Sequence, residues 1–261
     1  MISFPSLLSV TVLSDVMNEL LEMISGCEGS EKKDCWGCAM KDAGHSMFSK
    51  PTVVKCFGRP KTMVITEQPN VSPKKIAELG KDWNPSRLFI DEFNKELQAR
   101  HPFFRKMDKI FSGRLSSDFD RNSQAFHSIY WTHFVKCSGQ LRYWKEYTVK
   151  NKPRFNACAD KFLFDELRTL RPELIVAVGG LAATWILKKV SDERLRSLNW
   201  REIIWKELEQ VILKKKEPLE IEMDDLKFRL FVAFHPSGNN SVGIWINDKL
   251  KELVRESLPV H

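Results

Sequence analysis

Hydrophobic positions recur along this chain in two rhythms. Between Leu7 and Ile24 the run LLSVTVLSDVMNELLEMI sets Leu13, Val16, Met17, Leu20, Leu21 and Ile24 three or four residues apart, the spacing of one helix face. It predicts an amphipathic helix within an N-terminal extension over about residues 1–30. Four short runs then switch to β-branched and aromatic residues: Thr62 to Thr66 (TMVIT), Ile129 to Val135 (IYWTHFV), Leu174 to Val178 (LIVAV) and Phe228 to Phe234 (FRLFVAF). Continuous apolarity over so few residues reads as strands buried on both faces. Helical patterns separate them at Arg87 to Gln98, Ala159 to Leu170, Ala182 to Val190 and Trp200 to Lys214, with a last one from about Ile244 to Glu256. Strands alternating with helices imply crossover connections. The expected fold is therefore α/β, a three-layer sandwich with a central, mainly parallel four-stranded sheet flanked by helices. No internal repeat or low-complexity tract divides the chain, so residues 1–261 are expected to form one domain.

In parallel sheets of this kind ligands bind beyond the carboxyl ends of the strands, so the residues that follow each run carry the functional signal. The first run ends in Thr66-Glu67-Gln68-Pro69-Asn70; the second carries Thr132 and His133 and leads into Lys136-Cys137. The third ends in Val178-Gly179-Gly180, where Gly180 opens a helix, and the fourth in His235-Pro236-Ser237-Gly238. Singly, each has an ordinary structural role: a histidine hydrogen-bonded at a strand end, a Gly-Gly pair making a tight turn. Together they would bring a carboxylate, two histidines and a Ser-Gly turn to one sheet edge, as in a small-molecule or nucleotide site.

Composition narrows the partner and the compartment. Lys and Arg outnumber Asp and Glu by 41 to 34, giving a net charge of +7 that suits a polyanion. No apolar stretch approaches the ~20 residues of a membrane span, and the N-terminus lacks the basic-then-apolar layout of a signal peptide. The chain is expected to be intracellular, cytoplasmic and without a membrane partner. Its six cysteines then read as ligands, nucleophiles or buried thiols rather than disulfides. Cys35 and Cys38 stand at a spacing that lets two thiolates reach one metal, and with Cys137 and Cys158 they would make a cysteine-only set. Zinc and iron-sulfur clusters both accept that set. Cys27 and Cys56 remain as buried apolar thiols or as substitutes for one of the four.

Taken in order, CWGC, MVITEQPN, IYWTHFVKC, CADKFLFDELRTLRPELIVAVGGLAA and FHPSG resemble the uracil-DNA glycosylase superfamily, specifically the iron-sulfur branch of bacterial and archaeal enzymes called families four and five. The resemblance runs from about Cys35 to Trp245. It implies a 4Fe-4S cluster on Cys35, Cys38, Cys137 and Cys158, zinc at the same cysteines being the alternative. It also implies a monomer at the nucleoid of a prokaryote, acting on single- or double-stranded DNA that holds a lesion. Such enzymes flip the target nucleotide out of the stack and cleave the bond between sugar and base. The family's donor to the departing base falls on His235, and its water-handling position on Gln68. Glu67 matches the glutamate of the family-four loop and is the candidate for stabilising the sugar cation or assisting the water. Ser237 and Gly238 form the turn that approaches the DNA backbone, and Lys136 is expected as a further contact to that backbone.

Departures from the family pattern bear on the substrate. The base-reading asparagine is replaced by His133, and Thr66 and Asn70 stand where glycines are usual. The segment that supplies a base-stacking aromatic is not preserved, which leaves Trp83 or Phe89 to stack on the base or to join the core. A glycosylase acting on uracil is the first expectation. Deaminated purines (hypoxanthine or xanthine) and a non-catalytic DNA-binding iron-sulfur protein are the alternatives.

Overall fold

The computed structural model describes residues 10–25, 55–56, 60–67, 107–108, 111, 115, 118–120, 122, 125–136, 156–197 and 219–233. Its centre is a five-stranded sheet built from β2 (Thr62–Thr66), β5 (Ile129–His133), β6 (Leu174–Val178), β7 (Leu219–Met223) and β8 (Leu226–Ala233), in the order β5-β2-β6-β8-β7. Four of these strands run parallel, and only β7 is antiparallel to its neighbour β8. Every residue of β2, β5 and β6 is buried, which is why these runs carry no polar alternation. Met63, Val64, Trp131, Ile175, Val176, Leu230 and Phe231 form the middle of one continuous apolar core.

The α/β class and the parallel centre agree with the sequence expectation, and the edge strand β7 adds a fifth member. In β7 the burial alternates, Ile221 and Met223 facing inward and Glu220 and Glu222 outward, the pattern of a strand with one wet face. A two-residue turn, Asp224-Asp225, joins it to β8, with Asp224 in the left-handed region at φ 53°. A second, small sheet pairs β1 (Lys55–Cys56), β4 (Ala125–Phe126) and β3 (Phe119–Asp120). Asp118 fastens it to β5: its carboxylate accepts from the backbone N–H groups of Ser128 and Ile129 at 3.0 and 3.1 Å.

The N-terminal helix α1 (Val10–Ser25) buries Met17, Leu20, Leu21 and Ile24, as its spacing predicts, and lies against α2 (Phe164–Leu170). A π-helical turn, Ala159–Leu163, leads into α2, and Arg171 closes it in the left-handed conformation at φ 46°. The helix predicted from Ala182 begins two residues earlier, as α3 (Gly180–Lys189), and a short α4 (Glu193–Ser197) follows. Trp185 of α3 donates its indole N–H to Asp160 of the π turn at 2.9 Å, and Lys189 pairs with the same carboxylate at 2.7 Å. Among the described residues no helix is long and apolar enough to cross a membrane. The helices expected at 87–98, 200–214 and 244–256 lie outside the described residues.

Candidate active site

Strand order locates the site before any side chain is considered. From β2 the chain adds β5 on one side and then returns to add β6 on the other, so connections leave β2 and β6 in opposite directions. Such a switch point opens a crevice outside the carboxyl ends of those two strands. Glu67 follows β2 there, and Gly179 and Gly180 follow β6.

Glu67 is held from three sides. Its backbone carbonyl accepts from the Val135 N–H at 2.9 Å, just after Phe134 N–H bonds to the Thr66 carbonyl at 2.7 Å, which extends the β2–β5 pairing past its last rung. Its carboxylate accepts from the backbone N–H groups of Leu181 and Gly180 in the first turn of α3. Beneath it lies Gly179, at φ 99° and anchored through its N–H to the Ala233 carbonyl at 3.0 Å. A Cβ on Gly179 would stand 2.5 Å from Glu67 Oε1, so only glycine leaves the carboxylate its place. Burial raises the Glu67 pKa above the ordinary carboxyl range, and the Leu181 and Gly180 N–H bonds oppose that rise. Desolvation wins. A carboxylate in this state combines raised basicity with an aim fixed by a helix N-terminus.

His133 ends β5 directly beside Thr66 in the ladder, and so one residue from Glu67 in register. It is buried, and burial together with the charge of Lys136 pushes its pKa down to about 3. The imidazole is therefore neutral at physiological pH and presents one N–H donor and one ring-nitrogen acceptor.

Lys136 departs from expectation. Read from sequence as a DNA-backbone contact, it is instead buried at 1% exposure, its ammonium 2.6 Å from a Glu166 carboxylate oxygen and 2.6 Å from Thr132 Oγ1. Thr132 and Tyr130 also donate to Glu166, at 2.9 and 2.8 Å. Four buried polar side chains thus satisfy one another between β5 and α2, and a phosphate cannot compete for a cation held inside the protein. Glu166 is invisible to sequence reasoning because a single acid on a helix resembles any solvated position.

Of the cysteines proposed as ligands, Cys158 is described: it is half-buried, packs on the core and immediately precedes the π turn. Cys56 sits half-buried on β1, where burial and the Asp118 carboxylate push its thiol pKa up to about 12. Among the described residues no three metal-binding side chains converge. Cys35, Cys38, Cys137, Gln68, Trp83, Phe89, His235, Ser237 and Gly238 lie outside the described residues. In the sequence, His235 stands two positions after Ala233, the last residue of β8, and β8 pairs with β6.

The model of the Uracil DNA glycosylase superfamily matches residues 78–258 of the chain, a span that takes in β5, β6 and β8 and begins after β2 and Glu67. Among curated proteins none matches the chain by sequence.

Proposed function

The chain belongs to the uracil-DNA glycosylase superfamily, and from that membership we propose that it is a monofunctional DNA glycosylase that flips out a deaminated base, uracil, and hydrolyses its N-glycosidic bond. One observation carries the reading. A carboxylate, Glu67, is seated at the sheet's switch point on two helix amides with its pKa raised, in the crevice where the fold receives ligands.

The chemistry follows from what each group offers. As the bond between sugar and base breaks, its electron pair leaves with the base and positive charge spreads over the sugar ring. Glu67 places negative charge toward that cation, and its raised pKa lets it accept a proton from the attacking water. Gln68, the next residue, orients the water and cannot deprotonate it. Water adds at the sugar carbon and leaves an abasic site. The departing base carries its new charge on a carbonyl oxygen, and His235 is the donor assigned to it. Trp83 or Phe89 stacks on the flipped base, and the Ser237-Gly238 turn meets the backbone. No lysine in the motifs is placed for a Schiff base, hence no strand cleavage.

His133 favours a second reading. A neutral imidazole meets a base edge with one donor and one acceptor at angles different from an amide, which suits a deaminated purine such as hypoxanthine or xanthine. Base release from oligonucleotides holding uracil, hypoxanthine or xanthine, followed by alkali cleavage, decides between them. His235→Ala is expected to lower release by on the order of 10²-fold or more while DNA affinity holds. Release from none of the three by intact wild-type protein would leave a DNA-binding protein that kept the fold.

An all-cysteine set of Cys35, Cys38, Cys137 and Cys158 suits a 4Fe-4S cluster, with zinc the alternative. Bound there, the cluster would act as a structural staple between the N-terminal segment and the sheet, apart from the bond-breaking step.

A further inference from the structure

We infer that Gly179 and the first two amides of α3 are a positioning device for Glu67, so that a glycine outside the reacting atoms sets the rate of the chemical step. The inference rests on the glycosylase reading for its kinetic consequence, but the geometry stands without it. Gly179 meets two independent demands. Its φ of 99° is one that side-chain-bearing residues rarely adopt, and the space a Cβ would fill already holds the Glu67 carboxylate, with Oε1 2.5 Å and Cδ 2.9 Å away. The turn it makes also brings the N–H groups of Gly180 and Leu181 onto that carboxylate. The amides are therefore committed to a side chain from the neighbouring strand, where a helix start more often takes its own N-cap residue. The cap of α3 and the aim of Glu67 are one interaction.

This coupling separates a positioning role from a merely local one. Were Gly179 only a turn residue, replacing it would cost the same whatever side chain stood at position 67. If it makes room for the carboxylate, the cost depends on Glu67. A stability cycle of G179A, E67A and the double variant, followed by thermal melting, reads this without any activity. G179A is expected to lower the melting temperature more when Glu67 is present than in the E67A background, since truncating Glu67 vacates the volume the new Cβ needs. Equal costs in the two backgrounds would overturn the inference.

A kinetic readout carries the same question to the chemical step. The Cβ of G179A takes the space of Glu67 Oε1 and so turns the carboxylate off the Gly180 and Leu181 amides. With a lesion oligonucleotide that wild type processes, G179A is expected to lower kcat on the order of 10-fold, the size of one lost bond to a charged group, with KM unchanged. In an E67Q background the same substitution is expected to cost little more, because the aimed charge is already gone. A folded G179A with wild-type kcat would overturn the positioning role. Wild-type protein that releases no base while the stability cycle still couples 67 to 179 would defeat the glycosylase reading and leave the geometric inference standing.

Discussion

At the scale of single residues, half-buried Glu67 and buried His133 are titratable groups whose pKa values move away from solution in opposite directions, and each leaves a signature in the pH dependence of stability. For Glu67 the folded state holds the proton more tightly than the unfolded chain. Ionisation above the ordinary carboxyl range of about 4 therefore costs folding free energy. Glu67→Gln keeps a carbonyl oxygen for the Leu181 and Gly180 amides and cannot ionise. It is expected to melt at or above the wild-type temperature at neutral pH, with the difference closing as pH falls below about 4, while base release drops on the order of 10²-fold. A variant less stable at pH 7 and equally active would remove Glu67 from the mechanism. His133 works the other way: its folded pKa is about 3 against an ordinary 6.5, so the unfolded chain binds the proton first. Its contribution is full above pH 6.5 and drains away between there and pH 3, at ~1.4 kcal/mol per pH unit. His133→Asn, which substitutes an amide that does not titrate, is expected to flatten the acid limb of denaturant-measured stability by about one proton; an unchanged slope would place the acid sensitivity elsewhere.

At the scale of elements, the buried Lys136–Glu166 pair joins β5 to α2 and accounts for what an isolated charge on either side would cost. Lys136→Met leaves the Glu166 carboxylate at 1% exposure without its cation, a change expected to destabilise by about 3–5 kcal/mol. Adding Glu166→Gln removes the charge and still offers an oxygen to Tyr130 and Thr132, so the double variant is expected to recover more than half of that loss. Urea denaturation of the three proteins checks it, and additive losses would mean the pair carries no mutual dependence. The same pair shows where sequence reading stops. The bounds of β2 and β6 are legible to the residue because both faces are buried and the runs contain little but apolar residues. The strand β7 escapes that reading because LEIEM alternates and looks half-solvated, although alternation followed by Asp-Asp is a hairpin signal. Lys136 reads as a surface cation because its partner stands thirty residues further along the chain, and only the fold brings Glu166 to it. Gly179 is legible as a tight turn. Its contact with Glu67 is not, since it depends on β2 and β6 being neighbours across the sheet.

At the scale of the whole molecule, the sheet and the four candidate cysteines pose a question of cross-linking. Cys137 directly follows the buried Lys136, and Cys158 directly precedes the π turn into α2, so two of the four stand next to well-packed structure. Cys35 and Cys38 are distant in sequence from both. A cluster bridging them would close a loop of roughly a hundred residues in the unfolded chain, a constraint worth about 4–5 kcal/mol on the chain-entropy account if a metal cross-link behaves as a disulfide of that span does. Protein purified without oxygen is expected to be brown and to carry iron with little zinc; oxidative loss of the colour should lower the melting temperature by several degrees without changing the order of the E67Q and wild-type stabilities. That invariance matters, because the contacts that hold Glu67 and shift its pKa come from β2, the end of β5 and α3. Were bleaching to abolish the pH signature of Glu67 along with the colour, the cluster would be acting on the crevice itself and not as a remote staple. A colourless, zinc-loaded protein with the same melting behaviour would assign the cross-link to zinc instead.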